Sequence, residues 1–241
     1  VATQMTPIWC AACISHAQTP GYRNKLRQAI EIIRAIDPAV TYVGFSAGKD
    51  SAVVADLCHR VHPGIPILMI DPGTPTHWTD EDRAQWLRWI ERAGWNFHRF
   101  DWDKWGGNRA QESVEDYQQA IHNEMFAQIY DYAEQHGLTH RVMGLRADES
   151  RARRILIAKR GAAYNYAAGG GAYLPIARWS TTDVWAHIVT RDLPILDIYH
   201  RMGPNARNGI IGRSGESHGR IEYLREHYPD AWRLAKKNGW L

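Results

Sequence analysis

Short apolar runs of strand length alternate with amphipathic stretches of helix length along most of this 241-residue chain. That alternation leaves few architectures open, because βαβ crossovers require a parallel sheet covered on both faces. Strands are expected at Thr41–Phe45, Ile65–Ile70, Trp95–Phe100, Arg141–Leu145 and Ala172–Ile176. Helices are expected where Leu26, Ala29, Ile30, Ile33 and Ile36 form one stripe, and over Asp50–His62, Thr79–Ala93, Ser113–His136, Thr181–Thr190 and Ile221–Lys237. The expected fold is therefore α/β, a mainly parallel five-stranded sheet with helices on both faces. Residues 1–20 read as an irregular segment broken by Pro7 and Pro20, residues 21–180 as a nucleotide-binding core, and 181–241 as a helical and loop substrate region of the same domain.

Composition narrows the class without naming an activity. With 44% apolar and 23% charged residues, the chain matches an ordinary globular protein. Its longest nearly pure apolar run, Ile65–Ile70, contains a proline and is far short of the ~20 residues of a membrane span. No secretory leader is expected, and three cysteines suit a reducing cytoplasm better than a disulfide framework. The net charge of +3 is uneven: Arg141 to Arg220 holds thirteen Lys/Arg against six Asp/Glu, which leaves −4 on the remainder. A basic stretch of this kind fits an anionic ligand, and equally a solvated basic face.

The densest chemistry stands where the first strand turns into a helix, Ser46-Ala-Gly-Lys-Asp-Ser51. Small residues let backbone N–H groups converge on an anion, and the helix N-terminus adds its positive dipole end. Lys49 can pair with phosphate, while Ser46 and Ser51 offer hydroxyls. The spacing fails the Walker pattern: three residues separate Gly44 from Gly48, and Asp50 stands where Ser or Thr should follow the lysine. A carboxylate there suits Mg²⁺ shared with phosphate oxygens. A plain βα turn capped by Asp50 or Ser51 is the alternative.

This turn resembles the modified phosphate loop of the adenine nucleotide alpha-hydrolase-like superfamily. Within that superfamily the chain is similar to the PAPS reductase-like family, which includes the sulfate adenylyltransferase small subunit and the ATP pyrophosphatases of DNA phosphorothioation. Leu68-Met-Ile-Asp-Pro-Gly73 resembles the family's second strand and its acidic end. Gly144-Leu-Arg-Ala-Asp-Glu-Ser-Arg151 resembles its Gly-x-Arg-x-x-Glu-Ser segment, and Leu174-Pro-Ile-Ala-Arg-Trp-Ser-Thr-Thr-Asp-Val-Trp185 its Pro-Ile-x-x-Trp stretch. The resemblance implies ATP and Mg²⁺ as ligands, cleavage of the α–β phosphate bond, and sulfur activation or nucleic-acid thiolation as the setting. By the same resemblance Ser46, Ala47, Gly48, Lys49, Ser51, Asp71, Gly144 and Arg146 would bind the nucleotide. Lys49, Asp50 and Arg151 would act in the reaction, with Asp50 on the metal.

The basic run after the fourth strand has content of its own: Arg146, Arg151, Arg153, Arg154, Lys159 and Arg160, with Glu149 among them. Arginine forks match phosphate and carboxylate, and Arg151 and Arg154 share a face if the segment is helical. Ser180 and Asp183 fit a capping box, and Trp179, Trp185 and the tryptophans from Trp78 to Trp105 read as packing. The Gly-rich, basic stretch Met202–Arg220 reads as a loop that closes on an anionic substrate, with a plain surface loop as the alternative.

True reductases of the family carry a C-terminal nucleophilic cysteine, and this sequence has none after Cys58. A PAPS or APS reductase is therefore the second reading, and a non-catalytic nucleotide or nucleic-acid binder the third. Cys10 and Cys13, with His16 nearby, have spacing that permits a metal, a redox pair or a sulfur carrier, as well as plain packing. The partners expected are an anionic or sulfur-bearing acceptor, a sulfur-donor or DNA-modification protein, and a second copy in a homodimer, with no membrane.

Overall fold

The computed structural model describes residues 6–71, 79–102, 114–167, 169–206, 225–226 and 229–237. Six strands form one sheet: β1 Thr41–Phe45, β2 Ile67–Asp71, β3 Phe97–Asp101, β4 His140–Val142, β5 Ala163–Asn165 and β6 Gly171–Tyr173. Their order is β3-β2-β1-β4-β6-β5, parallel throughout except where β5 pairs antiparallel with β6. The helices are α1 Pro7–Ala17, α2 Pro20–Arg34, α3 Lys49–Val61, α4 Asp80–Ala93, α5 Val114–Gln135, α6 Arg151–Arg160, α7 Thr181–Arg191, α8 Asp197–Met202 and α9 Pro229–Lys237.

Period-two alternation sorts the strands' side chains between two cores. Val43, Phe45, Ile67 and Met69 face the larger one, with Ile33 of α2, Trp86 of α4 and Trp185 of α7. Tyr42, Leu68 and Ile70 face the other, against Ile129 and Ala133 of α5. Each fully buried aliphatic side chain contributes about 1.5–3 kcal/mol, so both faces hold the sheet. A smaller cluster of Ile157, Leu174 and Ala177 lies beneath α6.

Three expectations need correction. The sheet has six strands rather than five: Ala163-Tyr-Asn165 adds an antiparallel edge, too short and too mixed to show a period. Its hairpin needs Gly170 (φ +71°), where a Cβ would overlap the Thr139 carbonyl. Residues 7–17 are helical rather than irregular. Pro7 and Pro20 do not break helices; each stands at the start of one, behind a capping threonine whose hydroxyl accepts the Trp9 or Tyr22 amide. The fourth and last expected strands are also shorter, ending at Val142 and Tyr173.

The capping box at the start of α7 is present, and it does more than cap. Asp183 accepts the Ser180 amide at 2.6 Å, His16 of α1 at 2.9 Å and Lys25 of α2 at 2.6 Å. Burial alone would raise its pKa, but the bonds from His16, Lys25 and Ser180 outweigh that and hold it at about 2. Trp86, Trp95, Trp102, Trp179 and Trp185 are buried, as packing requires. Among the described residues no helix is long and apolar enough to cross a membrane. Most of the expected substrate loop Met202–Arg220, and Trp78 and Trp105, lie outside the described residues.

Candidate functional site

Strand order places the site. The chain lays β2 and β3 on one side of β1, then jumps to β4 on the other, so β1 and β4 flank the topological switch point. Ligands of such sheets bind beyond the strand carboxyl ends at that point. A cleft of about 720 Å³ opens there, lined by the turn after β1, the segment after β4, one side of α5, and Tyr199 of α8.

The turn is folded by its own residues. Ala47 sits buried in the left-handed region (φ 56°), a conformation that costs a non-glycine residue about 1–2 kcal/mol. The Ser51 hydroxyl donates to the Gly48 carbonyl at 2.9 Å and accepts the Ser46 amide at 3.1 Å, closing the loop on itself. Gly48, the residue before α3, offers no side chain to cap its first-turn amides, and that of Lys49 is taken by Tyr199. Gly144 presses from β4's side: a Cβ there would lie 2.7 Å from the Asp50 backbone carbon and oxygen. Only glycine allows the two walls to meet this closely.

Charges at this wall are answered internally. Lys49 is buried, with Nζ 3.0 Å from Asp50 Oδ2. Arg146, 2% exposed, donates from Nε to Asp50 Oδ1 at 2.6 Å and from its other nitrogens to the Trp179 carbonyl, Asp148 and Thr181. The Lys49 amide donates to Tyr199 Oη at 3.2 Å, and Lys49 Nζ lies 5.7 Å from that ring's centre. Burial pushes the Tyr199 phenol well up, so it stays a neutral hydroxyl. Glu149 accepts the Arg146 amide at 2.9 Å and pairs with Arg153.

Six of the residues expected at a site come together in the cleft: Ser46, Gly48, Lys49, Asp50, Ser51 and Gly144. Four do not line it. Ala47 is buried behind the turn. Arg146 stands behind Asp50 as a strut, with four of its five N–H donors on protein acceptors. Asp71 is buried at the end of β2, paired with Arg83 at 3.1 Å and Arg99 at 3.8 Å. Arg151 is exposed at the start of α6. Sequence reasoning missed Tyr199, Arg141 and the apolar wall of Tyr42, Met125, Phe126, Ile129 and Tyr130. Glu149 lay within a quoted motif without a role, and nothing in the sequence marked Tyr199.

The cysteines stand apart from the cleft. Cys58 is buried in α3, and burial pushes its thiol far up. Burial first, and Cys10 second, push Cys13 up to about 11. His16, the third ligand considered beside them, is held by Asp183. Among the described residues no three His, Cys, Asp or Glu gather where they could hold a metal ion.

No curated protein sequence matches the chain. Among solved structures, the U34-tRNA thiolase NcsA from Methanococcus maripaludis with its [4Fe-4S] cluster is similar, with a TM-score of 0.53 at 13% identity, covering 91% of this chain and 78% of that one. The phosphate complex of phosphoadenylyl-sulfate (PAPS) reductase from Candida auris gives a TM-score of 0.43 at 14% identity, over 82% of this chain and 93% of that one. The cysteines here do not suit an iron–sulfur cluster like that of the thiolase: clusters need several converging thiolates, and two of the three are buried, in different helices. Residues 41–204, from β1 to just past α8, match the phosphoadenosine phosphosulfate reductase domain. The chain belongs to that family, within the adenine nucleotide alpha-hydrolase-like superfamily.

Proposed function

We propose that the cleft binds ATP and breaks its α–β phosphate bond, an acceptor oxygen or water attacking the α-phosphorus as pyrophosphate leaves. The observation that carries this reading is the turn 46–51, with Lys49, two serine hydroxyls and the start of α3 at one cleft. The β and γ phosphates would lie in this turn, where fixed donors and Lys49 offset the charge that builds on the leaving group. The base would lie against the wall of Tyr42, Phe126 and Ile129. Asp50, with Glu149 facing the same cleft, supplies the carboxylates that would share Mg²⁺ with phosphate oxygens, and the ion would add further charge neutralisation. Arg146 positions Asp50 rather than touching the nucleotide. Sulfur activation is the setting that the family membership favours.

A reductase reading would need a thiolate at the substrate, and no cysteine of this sequence lines the cleft. Incubation with α-labelled ATP and Mg²⁺ tests the proposal: AMP and pyrophosphate are expected, and Lys49→Ala should lower their formation by about 100-fold or more. ADP and orthophosphate as main products would overturn it, as would ATP binding without turnover for any acceptor.

A further inference from the structure

The cleft leaves most of the basic stretch unused. From Arg151 to Tyr166 the sequence holds five Lys/Arg and no Asp/Glu. Arg153 turns to Glu149, whereas Arg151, Arg154, Lys159 and Arg160 are exposed and make no ion pair with a described residue. Ile155, on the same helix, is 57% exposed. Arg160, about half a turn round the helix from Arg151, meets the edge hairpin at the end of α6. The Arg160 guanidinium lies 5.2 Å from the centre of the Tyr164 ring, Tyr164 meets Tyr166 edge to face at 5.7 Å, and Arg141 lies 5.4 Å from the centre of Tyr166. Arg141 also donates to Tyr166 Oη at 2.9 Å and forms part of the cleft wall. An unbroken ladder of cations and rings thus runs from the end of α6 along the sheet's edge into the cleft.

Each half of this pattern selects a ligand chemistry. Clustered cations repel one another and are relieved by a chain of anions rather than a single one. Tyr164 and Tyr166 are half-buried, Tyr164 against the cluster of Ile157, Leu174 and Ala177, and the exposed part of each ring beside its guanidinium offers a face for planar ligands. An acidic peptide would satisfy the cations but give the rings nothing flat to stack on. Duplex nucleic acid would supply phosphates while hiding its base faces. A single strand supplies both, with phosphates at the end of α6 beside Arg160 and bases against Tyr164 and Tyr166.

We propose that this ladder is a docking track for a single strand of nucleic acid, which brings the acceptor to the cleft. The second clause rests on the reading of the cleft given above, whereas the docking itself needs no turnover.

Fluorescence anisotropy with an end-labelled single-stranded DNA of roughly 20 nucleotides, without ATP, tests the track. The strand should bind more tightly than a duplex of the same sequence and weaken steeply as salt rises from about 50 to 200 mM. Tyr164→Ala and Arg160→Ala should each weaken binding by about fivefold or more, and Tyr164→Phe, which keeps the ring, by less than about twofold. Thermal melting of each variant separates lost binding from lost fold. Equal affinity for strand and duplex, or wild-type affinity in both alanine variants, would overturn the track. A protein that binds the strand and follows this variant pattern but never releases AMP from ATP would support the track and overturn the cleft reading. Release of AMP with no preference for the strand would do the reverse.

Discussion

Two regions border the cleft, and they treat charge in opposite ways. At the turn after β1, every charged group meets a partner: Lys49 and Arg146 share Asp50, and Arg146 gives three further donors to Trp179, Asp148 and Thr181. Along α6 and β5, four cations have no ion-pair partner among the described residues. Taking charges out of water costs several kcal/mol each, so the first arrangement persists only because its geometry is complete. The second costs little while water covers it, and leaves its charges available to something else. Internal pairing builds a rigid wall; unpaired charge marks where an external anion would be answered.

Removing one partner from each region should break the comparison if it is wrong. Arg146→Ala leaves Asp50 with Lys49 alone and empties the space of a buried guanidinium, and should lower stability by about 3 kcal/mol in urea unfolding. A loss below about 1 kcal/mol would show that Asp50 does not depend on this strut.

The next effect concerns a second internally answered charge. The Asp183 carboxyl is held at about 2 against an ordinary 3.8, so its contribution is present above about pH 4 and is lost as pH falls toward 2. That loss amounts to about 2 kcal/mol, and acid-dependent unfolding should show it in the wild type and not in Asp183→Asn.

Tyr199→Phe keeps the ring beside Lys49 but removes the acceptor of its amide, a change of about 1 kcal/mol. Nucleotide affinity should fall by roughly fivefold, while the melting temperature moves little. At the exposed edge, Arg151→Ala and Arg154→Ala should leave stability within about 0.5 kcal/mol of wild type. A larger loss at either would mean that the α6 cations are structural after all.

What the sequence made legible follows the same division. The turn 46–51 and Gly144 could be read because their chemistry is local: small residues, a lysine and a helix start stand side by side. The β1–α3–β2 succession was legible for a similar reason, since apolar periodicity reports burial directly. Tyr199 was not, because it reaches Lys49 from 150 positions away. Arg146 was singled out, yet its strut role depends on Asp50, Trp179 and Thr181, which no spacing rule brings together. Asp71 stood out by its strand-end position, while its partners Arg83 and Arg99 come from α4 and β3. The N-terminal helix was lost to a misread proline, whose ring suits a helix's first position as well as it breaks an interior.

The Arg146 strut also bears on how the protein is made. Its partners lie at Asp50 on one side and at Trp179 and Thr181 on the other. A ribosome adding about 5–20 residues per second therefore exposes the lysine turn well before the arginine that fixes it, and the arginine before the threonine. Until residue 181 has emerged, the turn is an anion-seeking peptide without its wall, so nascent chains halted before that point should not retain nucleotide. Completion of the pocket would then wait for α7 and for Tyr199 of α8 rather than for the appearance of its own motif.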